Sequence, residues 1–449
     1  MKVLKFGGTS VANAQNIALV KAIVSNEKAD KTIVVVSAFG GVTDTLLQTA
    51  HLASNQDGDY KIGLSELEKR HLTTIKELIP IHAQSKVLSK VKSEINTLEA
   101  LLEGAFLIGE ITPQLSDKIV SYGEMLSSYI INEYFEQQDL NTVHVNSREL
   151  IKTNEVNGKA AVNFDITNAN CQILIKEIPN RIIVAAGFIA SSENENPTTL
   201  GRGGSDYTAA IIAAAIDAEV LEIWTDVSGM YTANPKLVKQ AKAIPHISYE
   251  EAMELSHFGA KVLYPPTIQP VLSNGISIII KNTFRPDDAG TLITKNQNAQ
   301  GKTVRGISHI ENIALLSLEG PGMVGIPGIS KRFFEVLSQS EISVVLITQA
   351  SSEHSICIGI SADDIDNAVQ IVNSAFEYEI ERGKIKPVIA EKHLAIIALV
   401  GDNMKSHQGL SGKMFSTLGK NNVNIRVIAQ GASERNISAV IKEEDVKKA

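Results

Sequence analysis

The sequence predicts an α/β protein in which a layered domain with a mainly parallel sheet precedes two copies of a small α+β domain. Continuous apolar, β-branched runs such as residues 32–38 alternate with helical patterns through the first two thirds of the chain. Such runs are typical of parallel strands that helices cover on both faces. Residues 313–361 match residues 394–442 at a fixed offset of 81, which indicates a duplicated domain. The 449 residues, 44% of them hydrophobic, are enough for two or three domains.

Composition limits the possible partners. The chain has 42 basic and 50 acidic residues, a formal charge of −8 and no basic block, which argues against nucleic acid. No apolar run reaches the roughly 20 residues that span a bilayer. The two cysteines, Cys171 and Cys357, form no disulfide framework, and no signal-peptide pattern is present. We therefore expect a cytoplasmic protein without a membrane or nucleic-acid partner.

The first strand, residues 2–8, ends in a glycine turn. Thr9 and Ser10 are candidate caps of the next helix. Lys5 lies at the carboxyl end of the strand, where open α/β sheets place their ligands, and a lysine there can neutralise phosphate. Taken alone, Lys5 could equally be an ordinary solvated lysine.

A second strand–glycine–helix unit follows at residues 32–44, and residues 45–135 are helical in pattern. Glu124 lies in a helix whose other residues are mostly apolar. A carboxylate in such surroundings costs free energy unless it is paired or faces a cleft. We expect Glu124 to face a cleft rather than to be an exposed helical glutamate.

The segment 199–208 joins a buried strand, residues 182–189, to a very apolar helix, residues 209–216. Its three glycines let backbone N–H groups converge where a helix N-terminus adds a positive dipole. Arg202 offers a planar fork for a carboxylate or phosphate. Ser205 and Asp206 stand where a helix is usually capped, so a capped turn without a ligand is the alternative. Residues 193–197 predict a hairpin or a flap before this loop.

The strand 220–226 ends at Asp226 and leads into residues 227–236, which include Tyr231 and Lys236. These three side chains can bind a nucleotide, and a surface loop of the same composition is the alternative. Residues 247–257 predict an amphipathic helix. Lys261 then lies in an apolar setting, where it either extends to water or offsets charge on a transferring phosphoryl group. Residues 276–281 are predicted to be the last strand of this half, with a domain boundary near residue 300.

Each copy of the repeat predicts a strand, a glycine turn, a helix, a strand, a turn and a strand. Ser330 or Ser411 would cap the helix, whose N–H groups can hold a small carboxylate. Gln349 and Gln430 match each other and can add amide contacts. Dimerisation modules without a ligand are the alternative. The second copy ends a few residues into its final helix, so we expect it to be truncated.

Four motifs resemble the signatures of aspartate kinases, members of the amino-acid kinase superfamily: residues 5–10, 201–206, 224–227 and 258–263. The repeat resembles the tandem ACT domains of that family. Its residues 347–353 and 428–434 are most similar to those of the bifunctional aspartokinase–homoserine dehydrogenases. The resemblance implies a carbamate-kinase-like three-layer α/β/α sandwich over residues 1–297. It also implies βαββαβ-type ACT domains over 306–390 and 391–449. No dinucleotide fingerprint is present, so dehydrogenase activity is not expected of this chain.

The resemblance implies transfer of the γ-phosphoryl group of MgATP to the side-chain carboxylate of L-aspartate, giving 4-phospho-L-aspartate and ADP. This is the first step toward lysine, threonine and methionine. By resemblance, Lys5 and Lys261 bracket the phosphates and Asp206 organises the lysines. Mg²⁺ is held mainly by ATP, without protein ligands. Positioning and charge neutralisation carry such a reaction because the attacking carboxylate is already ionised.

The resemblance also assigns binding residues. The implied contacts with aspartate are Thr43, Glu124, Phe188, Arg202, Gly203, Gly204 and Ser205, with Glu124 taking the ammonium group. The implied contacts with ATP are Lys5, Gly7, Gly8, Ser37, Thr225, Asp226, Tyr231, Lys236, Lys261 and Val262. Two departures weaken the nucleotide contacts but not the reaction class: Tyr264 stands where the family often has His, and residues 234–236 read Asn-Pro-Lys where Asp-Pro-Arg is common.

The ACT pair implies feedback inhibition by an end-product amino acid and a homo-oligomer that forms through the ACT domains. Similarity to the bifunctional type favours threonine over lysine as the effector. The implied effector contacts are Met323, Gly328, Ser330, Gln349 and Gln430. Two rival functions stay open at this point: a sister amino-acid kinase for another small acid, and an amino-acid sensor with a silent kinase domain.

Overall fold

The structure, a computed structural model, describes the whole chain except residues 28–30, 159, 179–180, 258–262, 296–302, 350–353, 403, 405–406 and 432–434. The chain divides into two compact units. The first unit comprises Met1–Met230, Ala243–Met253 and Lys261–Gln297. The second unit comprises Tyr231–Lys242, Glu254–Ala260 and Asn298–Ala449. Two segments that precede the predicted boundary near residue 300 therefore belong to the second unit.

The strands of the first unit are β1 Lys2–Phe6, β2 Thr32–Val36, β3 Thr142–Val145, β4 Lys152–Thr153, β5 Ile182–Ala186, β6 Ile189–Ser192, β7 Pro197–Thr199, β8 Val220–Thr225, β9 His246–Ser248, β10 Ser277–Asn282 and β11 Thr291–Thr294. The helices that lie in this unit or begin in it are α1 Ala14–Ser25, α2 Val42–Ser54, α3 Tyr60–Leu78, α4 Ile81–Ile108, α5 Pro113–Val120, α6 Tyr122–Glu136, α7 Ser147–Leu150, α8 Phe164–Glu177, α9 Gly204–Ala215, α10 Tyr249–His257 and α11 Gln269–Asn274.

Eight strands form the main sheet of the first unit, in the order β3-β5-β2-β1-β8-β10-β11-β9. All neighbouring pairs are parallel except β10 and β11. Successive residues of a strand point to opposite faces. Leu4 and Phe6 join a core with α1–α6, whereas Lys5 faces α9 on the other side. The sheet is therefore covered on both faces, which confirms the predicted three-layer α/β/α arrangement.

The described residues of the second unit form β12 Gly306–Glu319, α12 Ile329–Gln339, β13 Val344–Gln349, β14 Ser355–Ser361, α13 Ile365–Ala375, α14 Glu377–Glu381, β15 Ile389–Val400, α15 Leu410–Lys420, β16 Val427–Gln430 and β17 Asn436–Lys442. They build one six-stranded antiparallel sheet in the order β13-β14-β12-β15-β17-β16. The strand–helix–strand–strand order predicted for each copy is confirmed by β12-α12-β13-β14 and by β15-α15-β16-β17.

The longest strands of the two copies, β12 and β15, pair with each other. The first part of β12, Gly306–Ile310, pairs with Val400–Ile396 of β15, beside the second copy. The later part, Ile313–Glu319, pairs with β14 of the first copy. The predicted limit at 390/391 falls inside β15, and residue 306 begins a strand that serves the second copy. The domain limits 306–390 and 391–449 stay a prediction.

Helix starts differ from the sequence-based expectation in the first unit. The predicted caps Thr9 and Ser10 are wrong, because α1 begins at Ala14 and the Asn13 side chain accepts a hydrogen bond of 2.9 Å from the Asn16 N–H. Asn13 adopts the extended backbone conformation that a capping residue needs.

A glycine occupies the N-cap position of α9, α12 and α15, the helices for which a serine or aspartate cap was predicted. Gly203 occupies the N-cap position of α9 with φ +71°, so Ser205 and Asp206 lie in its first turn rather than at the cap. Gly328 and Gly409 do the same for α12 and α15, which displaces Ser330 and Ser411 from the predicted cap. In each case the helix follows a left-handed residue, a conformation that favours glycine.

The strand predicted at residues 276–281 is present as β10, but the prediction that it is the last strand of this half is wrong. The chain turns back at Gly290 and adds β11, which pairs with β10 antiparallel and with β9 parallel. The predicted hairpin is confirmed, since β6 and β7 pair antiparallel around Glu193–Asn196.

Candidate active site

A cavity of about 650 Å³ opens at the carboxyl ends of β1 and β2. The turns after these strands, α2, α5, α6, the β5–β6 connection and the start of α9 all contribute to its walls. The predicted site residues that line it are Lys5, Gly8, Ser37, Thr43, Glu124, Phe188, Arg202, Gly203, Gly204, Ser205 and Asp206. Residues separated by up to two hundred positions therefore meet in one cavity.

Three glycines of this cavity lie so close to neighbouring atoms that a side chain would crowd them. A Cβ on Gly8 would lie 3.2 Å from the carbonyl oxygen of Ala38, so the turns after β1 and β2 are in contact. A Cβ on Gly203 would lie 2.7 Å from the Tyr264 side chain, and one on Gly204 would lie 2.6 Å from the Phe188 ring. A side chain at these positions would force the walls of the cavity apart.

Lys5 and Asp206 form an ion pair inside the cavity. Lys5 Nζ lies 2.5 Å from Asp206 Oδ1, and the two side chains are only 10% and 14% exposed. Asp206 stands in the first turn of α9, where unpaired backbone N–H groups and the helix dipole favour negative charge. The Asp206 carboxylate thus holds the ammonium group of Lys5 at the start of a helix, and both features attract an anionic group.

Glu124 is another titratable group of the cavity. Its side chain is buried, and burial raises its pKa to about 8 although a backbone hydrogen bond from Ala38 and the Lys5 charge oppose the rise. Its Oε2 atom has no hydrogen-bond partner among the described residues. A buried carboxyl with an unused oxygen is suited to accept a cationic group that enters the cavity.

The connection between β5 and β6 holds Phe188 in the left-handed region, with φ +66°. This conformation is uncommon for a bulky residue. Two hydrogen bonds of 2.9 Å hold it: the Phe188 N–H donates to Thr208 Oγ1, and the Leu200 N–H donates to the Phe188 carbonyl oxygen. The ring is thereby placed against the turn that carries Arg202.

Ser37 and Thr43 come from the second glycine turn. The Ser37 N–H donates to the Phe6 carbonyl oxygen at 3.1 Å, and Ser127 Oγ donates to the Ser37 carbonyl oxygen at 2.8 Å. Thr43 is the second residue of α2, two positions after Gly41, whose φ is +82°. Both hydroxyls therefore sit on well-anchored backbone at the cavity wall.

The remaining predicted ATP contacts lie elsewhere. The Gly7 N–H donates to the Trp224 carbonyl oxygen at 3.2 Å, which places this turn beside the end of β8 and so near Thr225 and Asp226. Tyr231 and Lys236 belong to the second unit. Lys261 and Val262 lie outside the described residues, so the predicted meeting of Lys5 and Lys261 stays a prediction.

Asp117 lines the same cavity and was missed by the sequence analysis. It is a buried acid in the short helix α5, next to the apolar pair Ile119 and Val120. The signal that pointed to Glu124, a carboxylate in apolar helical surroundings, is present here too. It is weaker because the short helix offers too few turns to define a buried face.

The second unit has a cavity of about 360 Å³ between the start of α12, the end of β13 and the start of β14. Four of the five predicted effector contacts line it: Met323, Gly328, Ser330 and Gln349. Gln430, the last residue of β16, is not among its lining residues. Its amide does not share this cavity although Gln430 matches Gln349 in the repeat.

Two further observations concern the described parts of the chain. No helix there is both long and apolar enough to cross a membrane. No group of three His, Cys, Asp or Glu side chains is arranged there to hold a metal ion.

Comparisons with known proteins agree on one family. Residues 1–282 match the profile of the amino acid kinase family, and residues 316–376 and 397–449 match that of an ACT domain. The chain is 35% identical to the chloroplastic bifunctional aspartokinase/homoserine dehydrogenase 1 of Arabidopsis thaliana, over 99% of this chain and 49% of that protein. The chain thus spans about half the length of the bifunctional plant relatives it matches.

Relatives of similar length exist as well. The chain is 30% identical to lysine-sensitive aspartokinase 3 of Escherichia coli, over 99% of this chain and 96% of that protein. The crystal structure of E. coli aspartokinase III in complex with aspartate and ADP superposes with a TM-score of 0.86 at 30% identity, covering 100% of this chain and 97% of that one.

Proposed function

The chain belongs to the amino acid kinase family, and within it to the aspartokinases, and from this premise we propose that it phosphorylates the side-chain carboxylate of L-aspartate with MgATP. The observation that carries the proposal is the single cavity in which the Lys5–Asp206 ion pair, buried Glu124 and the Arg202 turn meet. The solved E. coli relative, crystallised with aspartate and ADP, supports it.

The proposed reaction needs little proton transfer. The aspartate side chain ionises near pH 4, so it is already a nucleophile at neutral pH. Lys5 neutralises charge on the transferring phosphoryl group, and Asp206 keeps the Lys5 ammonium in place. Lys261 is proposed to bracket the phosphates from the other side. Together with Lys5 and Asp206 it forms the proposed catalytic set.

Mg²⁺ is proposed to enter with ATP and to be held by its phosphates. Of the buried carboxylates in the cavity, Asp206 is paired with Lys5 and Asp117 accepts three hydrogen bonds. Glu124 is protonated near neutral pH when the cavity is empty. These three carboxylates are thus engaged or uncharged, which supports a Mg²⁺ ion held by ATP, and the exposed Asp44 is the other acid that lines the cavity.

Aspartate is proposed to bind between Glu124 and Arg202. Glu124 accepts the ammonium group through its unused oxygen, and Arg202 pairs with a carboxylate. The other proposed contacts are Thr43, Phe188, Gly203, Gly204 and Ser205, which line the same cavity.

ATP is proposed to lie over the turn after β1. Its proposed contacts are Lys5, Gly7, Gly8, Ser37, Thr225, Asp226, Tyr231, Lys236, Lys261 and Val262. The hydrogen bond from the Gly7 N–H to the Trp224 carbonyl oxygen supports the first part of this set, since it brings the end of β8 beside the phosphate-binding turn.

Regulation is proposed to act through the ACT region, residues 306–390 and 391–449. The cavity lined by Met323, Ser330 and Gln349 can hold a small amino acid, and the E. coli relative is named for its sensitivity to lysine. The repeat's similarity to the bifunctional type still favours threonine as the effector here. A homo-oligomer that forms through the ACT domains and a cytoplasmic location complete the proposal.

The test is ADP release that depends on aspartate and Mg²⁺, measured without effector, with threonine and with lysine. Turnover on aspartate that Lys5→Met abolishes, while Lys69→Ala on the exposed face of α3 leaves it intact, supports the proposal. Turnover only on another small acid would replace it by a sister kinase. A thermal shift with threonine or lysine but no turnover would replace it by a sensor. Lys261→Ala is expected to lower kcat strongly while the fold persists.

A further inference from the structure

Asp117 connects three segments of the first unit. Its Oδ1 accepts a hydrogen bond from Thr199 Oγ1 at 2.7 Å. Its Oδ2 accepts one from Asn157 Nδ2 and one from the Gly158 N–H, both at 2.9 Å. The residue is 4% exposed. Both oxygens of a buried carboxylate are thus used by neutral donors of the chain itself, which makes their geometry specific.

The residues that Asp117 holds lie directly against the Arg202 turn. Thr199 is the last residue of β7, three positions before Arg202. The Gly158 carbonyl oxygen lies 3.1 Å from the place that a Cβ on Gly201 would occupy, and Gly201 has φ +70°. The backbone that Asp117 anchors therefore forms one wall of the turn.

Arg202 itself is exposed, and no hydrogen bond or ion pair of its side chain is present among the described residues. The backbone of the turn consequently sets the position from which this side chain extends, and a substrate carboxylate would fix the guanidinium itself. That backbone is held from one side by the Phe188 and Gly204 contact and from the other by the Asp117 network.

We propose that Asp117 is a positioning residue that fixes the Thr199–Arg202 turn so that the Arg202 guanidinium meets the substrate carboxylate. This inference rests on the proposed function, because it assigns Arg202 to aspartate. Asp117 does not touch the substrate. Both of its oxygens are already engaged by donors of the chain itself.

The main test is Asp117→Asn. The amide oxygen can still accept from Thr199, but the amide NH₂ faces two further donors, so two of the three hydrogen bonds are lost. We expect the KM for aspartate to rise about tenfold, while kcat and the KM for ATP change by less than about threefold. Asp117→Glu, which keeps the acceptors, is expected to recover part of the loss, and Thr199→Val to show a smaller rise than Asp117→Asn.

The matched control is Glu155→Gln. Glu155 also accepts from three side chains of the β6–β7 hairpin, Ser192, Asn194 and Asn196, but at the end of the hairpin away from the cavity. We expect its KM values to stay within about twofold of those of the wild type. A rise equal to that of Asp117→Asn would show a general effect of the hairpin and overturn the proposal.

A double-mutant cycle tests whether Asp117 acts through Arg202. If it does, adding Asp117→Asn to Arg202→Ala raises the aspartate KM by less than about twofold further. Additive effects, or equal rises in both KM values, would overturn the positioning role. Wild-type turnover on aspartate is measured first, so failure of the proposed kinase activity is seen separately. If Asp117→Asn fails to fold, Asp117→Glu and Thr199→Val carry the same cycle.

Discussion

The strongest prediction concerns the proton on Glu124. Burial raises the pKa of this carboxyl from 4.5 to about 8, so at pH 7 about 90% of empty sites carry a proton there. An ammonium group that docks against Glu124 favours the charged carboxylate, because opposite charges at close range lower the pKa of an acid. Binding of aspartate is therefore expected to release about 0.9 proton at pH 7 and about 0.1 proton at pH 9.

The same equilibrium sets a cost for binding. At pH 7 the proton must leave an acid whose pKa lies one unit higher, which costs about 1.4 kcal/mol, or about tenfold in Kd. At pH 6 the cost doubles, and above pH 8 it fades. The Kd for aspartate should fall about tenfold for each pH unit from 6 to 8 and then level off.

Calorimetric titration with aspartate checks both quantities. It is carried out from pH 6 to 9 with a non-hydrolysable ATP analogue present, in two buffers whose ionisation enthalpies differ. Glu124→Gln is the matched variant, since glutamine keeps the shape but cannot titrate. We expect weaker binding by the variant, no proton release from this position and little dependence of Kd on pH.

Two results would refute the reasoning. One is an equal number of released protons for the wild type and Glu124→Gln at pH 7. The other is a wild-type Kd that does not change between pH 6 and 8. Either would mean that Glu124 is already charged in the empty cavity, or that the ammonium group of aspartate binds elsewhere.

Three other variants test separate parts of the site. Asp206→Asn removes the counter-charge of the catalytic lysine and should lower kcat by about 100-fold, whereas Asp165→Asn, an exposed acid in the first turn of α8, should not change kcat. Gly187→Ala would place a Cβ 2.8 Å from a backbone atom of α9 and should lower the Tm by several degrees. Gly104→Ala, in an open position of α4, should raise the Tm slightly. A higher Tm for Gly187→Ala than for Gly104→Ala would contradict the packing. Burial lowers the pKa of His71 to about 4, so between pH 6.5 and 4 the unfolded chain binds a proton at this residue that the folded chain does not. The free energy of unfolding should therefore fall by up to about 3 kcal/mol over that range. Denaturation measured at pH 7 and 4.5 should show a smaller fall for His71→Phe than for the wild type.

Much of the first unit could be predicted because its signals are local. The apolar runs at β1, β2 and β5 each define a buried strand, and the glycines after β1 and before α9 mark turns with unusual backbone. Lys5 and Asp206 were singled out for their positions at such turns. The structure places their charged groups 2.5 Å apart although the two residues lie 201 positions apart in the chain.

The misses have a common physical reason. Asn13 replaces Thr9 and Ser10 as the cap of α1 because three cap-forming residues stand within five positions, and packing of the helix against the sheet selects among them. Asp117 carries little local signal, since its partners Asn157, Gly158 and Thr199 are distant in the chain. Pairing between distant segments leaves no periodic pattern in either of them.

By itself, the order of residues determined which segments are strands and helices, where glycine is needed and which side chains carry charge into apolar surroundings. These properties depend on neighbours within a few positions, through propensity, periodicity and backbone sterics. Only the tertiary structure decided that β12 pairs with both copies of the repeat, that Tyr231 belongs to the second unit, and that one oxygen of Glu124 is left unpaired. Those outcomes depend on which distant surfaces pack together and exclude water. The free energy of that burial arises only when segments far apart in the chain come into contact.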